Sequence, residues 1–362
     1  MIDFIDVTVH NKEIFSALIP KLEEFINSGN YVLGRNLELF ENSFAEYCGT
    51  KYAVGVNSGT DALVLALRCL GAPSGGEVLT VSFTFPATVM AILNAGLVPR
   101  YVDVDMTGTM CPQDLEGKIN SNTVAIMPVH FMGHICDMTL IKGLADAKGI
   151  PIIEDACQSA GGTHDGQKAG SFGYAGCFSF FPTKNLSCLG DGGMVVTNDE
   201  GVYNSLLRLR NFGRCGREEF GSLGTNSRLD EFQAIVLNEK LKNLDQWLSM
   251  RRMKASYYDQ SIESSVRIKT PINSNSTYHL YVVMVENNID AVEGLKKMGV
   301  DCRTHYAVPC HKQPFSVEYF HGRMEPLPIT EFLSGKVLSL PLSEFISQES
   351  QDQVLVALKK FF

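Results

Sequence analysis

Between Lys51 and Asn198, short β-rich runs alternate with helix-like runs, and this alternation restricts the fold more than any other feature of the chain. The β-rich runs lie at 52–56, 77–81, 99–104, 124–129, 150–154, 176–180 and 194–197, with helix-like stretches such as 61–70, 87–95 and 140–148 between them. Strands separated by helices at this spacing predict an α/β domain whose mostly parallel sheet carries helices on both faces. The runs are nearly continuous in apolar residues, as strands buried on both faces are. Such sheets bind ligands in the loops at the carboxyl ends of their strands, so chemistry is sought there. The pattern changes near residue 245: 238–256 reads as a long helix, 278–285 as a strand, 291–297 as a helix and 305–314 as an irregular loop with prolines. A chain of 362 residues predicts two domains. The division falls at 1–250 for a large domain and 251–362 for a smaller α+β domain, which the first residues could join.

Acidic residues outnumber basic ones 40 to 31, a net charge of −9. Neutralising phosphates needs a basic surface, so no nucleic-acid partner is expected, although a local basic pocket for a small anion stays open. No stretch approaches the roughly 18 apolar residues of a membrane span, so no membrane partner is expected either. The start, Met1-Ile2-Asp3-Phe4-Ile5-Asp6, lacks the basic and apolar regions of a signal peptide. Ten cysteines form no C-x-x-C pair, which disfavours a zinc or thioredoxin-like site and fits a reduced, cytoplasmic protein. Gly190-Asp191-Gly192-Gly193-Met194-Val195 lacks the last glycine of a dinucleotide fingerprint and precedes a strand instead of a helix. Gly161 to Lys168 resembles a phosphate loop only loosely, with Gln167 where that motif requires lysine.

Four segments at strand ends carry candidate chemistry. In Asn57-Ser58-Gly59-Thr60-Asp61-Ala62-Leu63 a strand gives way to a helix. Its free N–H groups and the Thr60 hydroxyl could bind a phosphate, or Ser58 or Thr60 could simply cap the helix. In Ile153-Glu154-Asp155-Ala156-Cys157-Gln158 a carboxylate ends a buried strand, where it is costly unless paired. Asp155 suits a cationic ring nitrogen, and the alternative is a cap on the next turn. In Ser179-Phe180-Phe181-Pro182-Thr183-Lys184 a lysine follows a buried strand in an aromatic loop. Desolvation there lowers its pKa, and a neutral amine can form a Schiff base; the alternative is a snorkelling surface lysine. In Val81-Ser82-Phe83-Thr84-Phe85-Pro86-Ala87, Phe85 could stack on a flat ring or fill the core. Together the four describe a ligand with a phosphate, a cationic heteroaromatic nitrogen and an aldehyde within reach of lysine, which is pyridoxal 5'-phosphate (PLP).

With these motifs the chain resembles the fold-type I, DegT-type nucleotide-sugar aminotransferases. The resemblance covers nearly its whole length. It runs from Ser28-Gly29-Asn30-Tyr31-Val32-Leu33-Gly34 through Thr84-Phe85-Pro86-Ala87-Thr88 and Asn226-Ser227-Arg228-Leu229-Asp230 to His305-Tyr306 and Leu338-Ser339-Leu340-Pro341. It implies a fold-type I PLP-transferase with a mostly parallel, mixed central sheet in the large domain. It also implies that Lys184 is the Schiff-base lysine, Asp155 the partner of the pyridine nitrogen and Gln158 the residue at the ring hydroxyl. Ser179 and the backbone at Gly59, Thr60 and Asp61 match phosphate contacts, and Phe85 matches the aromatic stacked on the ring. Asn226 matches a phosphate contact donated by the other subunit, so the resemblance implies a homodimer with shared active sites. Cys157 departs from the family, where many relatives have alanine.

The resemblance further implies transfer of an amino group from L-glutamate to a nucleotide-linked keto sugar, for surface-glycan or secondary-metabolite biosynthesis. Relatives that dehydrate a sugar carry histidine where this chain has Lys184, so transfer is favoured over dehydration. The stretch from Asn226 to Asp230, with Phe180 to Lys184, looks like relatives acting on 3-keto sugars linked to dTDP or UDP; the alternative is a 4-keto substrate. Arg228 could bind a carboxylate of glutamate or of a sugar acid, or form a salt bridge between subunits. His305 and Tyr306 are further substrate candidates, each with a packed or surface role as the alternative. His130 and His311 stay open between the sugar site and a packed role.

Overall fold

The computed structural model describes residues 1–322 and 325–361. Seven strands form its central sheet: β1 Tyr52–Val56, β2 Glu77–Val81, β3 Val98–Val102, β4 Thr123–Met127, β5 Ile153–Asp155, β6 Ala175–Ser179 and β7 Gly193–Thr197. Their order is β1-β7-β6-β5-β4-β2-β3, with β5 joined to β4 through the parallel bridges Ile126–Ile152 and Val129–Asp155. The pairs β2–β3, β2–β4 and β5–β6 are parallel, whereas β7 is antiparallel to both neighbours. The segment 180–192 explains the exception: it contains no helix to cross back over the sheet, so the chain returns in the opposite direction. The result is the mixed, mostly parallel sheet expected from the alternation and the resemblance.

Successive side chains on these strands feed two cores. On β6, Ala175 and Cys177 join Val54, Leu63, Ile153 and Val195 on one face, while Phe178 joins Phe40, Phe44 and Leu79 on the other. Helix Gly59–Cys69 covers the first face with Ala62 to Leu67, all buried. A separate core of Tyr258, Tyr281, Val283, Leu295, Leu338 and Val354 lies around the antiparallel pair Tyr281–Met284 and Val337–Leu340. Ile2 packs against this core and bridges Val300.

The stretch expected as one helix at 238–256 is two helices, Glu231–Leu241 and Leu244–Ser261. Asn243 stands at the start of the second, in keeping with the preference of asparagine for caps over helix interiors. The second helix runs through residue 250 unbroken. Its Leu244 and Leu248 pack into the large core, and its Ala255 and Tyr258 into the small one.

Buried carboxylates hold distant segments by accepting clustered N–H groups. Glu231 accepts from Gly34, Asn36 and Leu37, capping helix Arg35–Cys48 from almost 200 residues away. Asp103 accepts from Ile329 and Thr330 and so docks helix Pro328–Ser334 onto the large domain. Glu154, on β5, accepts from the N–H groups of Gly170 (2.6 Å), Phe172 (2.7 Å) and Gly173 (3.1 Å) and from His130 Nε2 (3.0 Å). His130 Nδ1 accepts the Cys136 N–H, so the proton shared with Glu154 sits on Nε2. His130 therefore has a structural place, fully buried beneath β5.

Replacing Glu154 by alanine leaves three backbone donors without an acceptor. At about 1–3 kcal/mol for each buried unsatisfied group, stability is expected to fall by at least about 3 kcal/mol. The urea unfolding midpoint of Glu154→Ala measures this, and an unshifted midpoint refutes it.

Candidate active site

The site forms where β1, β5 and β6 end. Ser58 follows β1 in an extended conformation, and its Oγ accepts the Asp61 N–H at 3.1 Å. Ser58 is thus the helix cap, and the cap leaves the N–H groups of Gly59 and Thr60 without an acceptor within the described chain. A Cβ at Gly59 would lie 2.7 Å from Ser179 Cβ and 2.9 Å from Cys157 Sγ, so only glycine lets the three segments converge. A Cβ at Gly193 would lie 2.3 Å from the Ser58 carbonyl oxygen, which fixes the neighbouring strand equally closely. Ser179, partly buried, ends β6 beside this helix start. The two free N–H groups and the hydroxyls of Thr60 and Ser179 make a cradle suited to a phosphate.

Asp155 ends β5 at 5% exposure. Its Oδ1 accepts the Cys157 N–H at 3.2 Å and its Oδ2 the Thr88 hydroxyl at 2.7 Å. Lys184 stands in the loop after β6, its backbone tied to the Phe181 carbonyl at 2.8 Å and its amine without a hydrogen-bond partner among the described residues. Burial lowers its pKa, and the nearby Cys157 and Asp155 oppose that shift. The amine therefore loses its charge at a lower pH than an ordinary lysine, as the aromatic loop led to expect. Burial, then Asp155, pushes the Cys157 thiol up, which keeps it protonated.

Gln158 spends its Oε1 on the Met132 N–H at 2.7 Å, and its side chain also neighbours the Tyr306 hydroxyl. Phe85 is 56% exposed, so it does not fill the core, and its ring lies 6.0 Å from that of Tyr306. Tyr306 stacks on Phe131 at 5.7 Å, and burial raises its phenol. His305 bonds Ser339 Oγ through Nδ1 at 2.9 Å. Burial, helped by Arg303 and Lys184, pulls it down to about 4, so it is neutral at ordinary pH.

Two chemically important residues escaped the sequence reading. His279, just before a small-domain strand, lies beside Lys184 and is held neutral by burial and by that lysine. With Thr183, His305 and Arg303 it lines a cavity of about 80 Å³. Its only signal in the sequence is its place at a strand start. Thr88 is the second, one helical turn beyond Phe85 and 1% exposed.

Asn226 and Arg228 stand apart. Asn226 is exposed, and Arg228 Nη1 donates to Asn211 Oδ1 at 3.2 Å, with its guanidinium 5.9 Å from the Phe212 ring. Neither forms a hydrogen bond or ion pair with Lys184 or Asp155 among the described residues. Ser227 between them donates to Asn57 Oδ1 at 3.0 Å, which ties their loop to the start of the phosphate cradle. His311 is buried at a distance from Lys184's loop, bonded to Ser82 Oγ at 2.6 Å and facing Glu331.

The DegT/DnrJ/EryC1/StrS aminotransferase family matches residues 12–359. The dTDP-3-amino-3,4,6-trideoxy-alpha-D-glucose transaminase of Streptomyces venezuelae is 39% identical, covering 86% of this chain and 84% of its own length. The UDP-2-acetamido-2-deoxy-3-oxo-D-glucuronate aminotransferase of Pseudomonas aeruginosa is 36% identical, covering 87% of this chain and 88% of its own. The crystal structure of S. venezuelae DesV with a ketimine intermediate superposes with a TM-score of 0.95 at 37% identity, covering 99% of this chain and 98% of that one.

A methyl group at position 59 tests the cradle. Gly59→Ala must displace Ser179 and Cys157, and its affinity for PLP is expected to fall by at least about tenfold, since each 1.4 kcal/mol of lost binding is a factor of ten. Absorbance titration of the stripped protein decides it; wild-type affinity would mean the cradle holds no phosphate.

Proposed function

The chain belongs to the DegT/DnrJ/EryC1/StrS aminotransferase family, and we propose that it is a PLP-dependent transaminase moving an amino group from L-glutamate to a nucleotide-linked 3-keto hexose. The observation that carries this reading is the meeting of Lys184, Asp155 and the Gly59 cradle at three strand ends. Bound PLP supplies an electron sink for negative charge on the carbon next to a bound amine.

In this reading the residues divide the work. The N–H groups of Gly59, Thr60 and Asp61, with Ser179, hold the phosphate, the last N–H turning from the Ser58 cap. Asp155 holds a proton on the ring nitrogen through a charge-assisted hydrogen bond. Gln158 donates to the ring hydroxyl, and Phe85 covers one face of the ring. Lys184 would hold the cofactor's aldehyde carbon and, in its uncharged form, would move a proton at the donor's Cα as general base and then acid. Its depressed pKa brings that base nearer working pH. Neutral His305 and the Tyr306 phenol are placed to hydrogen-bond sugar hydroxyls rather than an anion.

The substrate class draws support from the names of the relatives, one acting on a dTDP-linked 3-amino sugar and one on a UDP-linked 3-oxo sugar acid. We take the active unit to be a homodimer in which Asn226 of the partner subunit adds a phosphate donor; the exposure of this residue and its distance from Lys184's contacts fit that role. Arg228, in the same loop, would meet a carboxylate of the donor or of a sugar acid. The ten cysteines, none disulfide-bonded, suit a reducing cytoplasm.

Adding L-glutamate to the holoenzyme without any sugar should release 2-oxoglutarate in proportion to enzyme and abolish the visible absorbance of lysine-bound PLP. Lys184→Ala should do neither while still binding the cofactor. A visible spectrum indifferent to glutamate and to other amino acids would point to dehydration or to a non-catalytic role. The amine-loaded enzyme is then offered dTDP-, UDP- and GDP-linked 3-keto and 4-keto hexoses, with products weighed; amination of 4-keto sugars alone would overturn the 3-keto assignment.

A further inference from the structure

Thr88 has no part in the chemistry described so far, yet its hydroxyl makes the shortest contact to Asp155. It sits at the second position of helix Ala87–Asn94 and is 1% exposed. Its Oγ1 lies 2.7 Å from Asp155 Oδ2 and 2.9 Å from Thr84 Oγ1. A threonine hydroxyl has one proton, and a carboxylate only accepts. Thr88 therefore gives its proton to Asp155, and Thr84 must give its own to Thr88. The three groups form a directed chain, Thr84 to Thr88 to Asp155, in which each hydrogen bond polarises the next. Thr84 is itself 2% exposed, so water does not compete for either hydroxyl.

We infer that Thr88 is a positioning residue that sets the orientation and basicity of the Asp155 carboxylate, and through it how firmly the cofactor's ring nitrogen keeps its proton. This inference rests on the reading of Asp155 as the ring-nitrogen partner. A hydrogen bond to the charged form of a carboxylate favours that form. With Thr88 donating, the proton between Asp155 and the ring stays on the ring, where it strengthens electron withdrawal. Without it the carboxylate becomes more basic and draws the proton away. The other titratable groups facing Asp155 are Lys184, Tyr306 and the thiols of Cys157 and Cys177. None of them donates to Oδ2, so none replaces Thr88.

The test uses holoenzyme variants and a readout apart from turnover: the pH at which the visible absorbance of lysine-bound PLP titrates. A ring that withdraws fewer electrons leaves the lysine–cofactor linkage more basic. Thr88→Val keeps the shape and loses the donor; its absorbance should titrate about one pH unit higher, and its glutamate half-reaction should slow by about tenfold, the equivalent of one pKa unit. Thr88→Ser keeps the donor and should titrate close to wild type. Equal shifts in both variants would assign the effect to packing and overturn the inference, as would no shift in Thr88→Val. Should Thr88→Val fail to fold, Thr84→Val removes only the outer donor and should shift the titration the same way by less; no shift there also overturns it. Asp155→Ala separates the two layers. A large shift in Asp155→Ala with none in Thr88→Val sinks the Thr88 inference alone. No shift in Asp155→Ala sinks the role of Asp155 and the inference with it.

Discussion

Two adjacent carboxylates on the buried strand β5, each given different company, are the constraint around which this protein is arranged. An ionised carboxylate in the interior costs several kcal/mol unless donors surround it. Because neighbouring residues of a strand face opposite ways, Glu154 and Asp155 look into different environments. Glu154 meets four donors and is fully satisfied by its own chain. Asp155 meets two, one per oxygen, and keeps lone pairs for something that is not protein. The same side-chain chemistry is thus closed on one face of the sheet and open on the other, and the open face is the one toward Lys184.

That asymmetry orders the rest of the site. A buried amine with no partner would be a poor neighbour for a satisfied core, but opposite a carboxylate with lone pairs to spare it suits a ligand. Burial lowers the pH at which the amine becomes neutral and nucleophilic, while Cys157 and Asp155 restrain how far the shift goes. The cradle at Gly59 lies on the same side because β6 neighbours β5, β1 lies one strand beyond β6 across β7, and glycine permits the strand ends to touch. No single segment contains the site; the sheet order assembles it from residues 59, 155, 179 and 184.

How much of this was legible in the sequence follows from locality. The strands were readable because burial on both faces leaves apolar runs, and the seven observed elements overlap the seven expected ones. Lys184, Asp155 and the Gly59 turn were readable because each sits in a local pattern of strand, small residues and a reactive group. The break between helices at Asn243 was not, because the periodicity of apolar residues continues across it while only the geometry of the turn changes. His279 and Thr88 were not, because their meaning lies in partners far along the chain: Thr88 meets Asp155 across 67 positions. Glu154 likewise resembled any strand-end acid until the turn at 170–173 closed over it.

The small domain contributes to the same site through a different physical device. Ser82 follows β2, its hydroxyl shared with His311 and its carbonyl accepting the Cys310 N–H. Asp103, just after β3, caps the helix that begins at Pro328. These two attachments pin both ends of the segment 310–330 to the large domain, and just before it Tyr306 meets Phe85 while His305 lines the cavity shared with Thr183 and His279. The division of labour follows from the donors available. Strand ends and a helix start offer N–H groups and a carboxylate, which suit a charged cofactor fixed in place. The small domain offers neutral imidazoles and a phenol, with Arg303 beside them, and none of these is an anion that would hold the Lys184 amine in its charged form. In the proposed reaction, a site divided this way would keep the cofactor and release the sugar, as the alternation of two amine-transfer half-reactions requires.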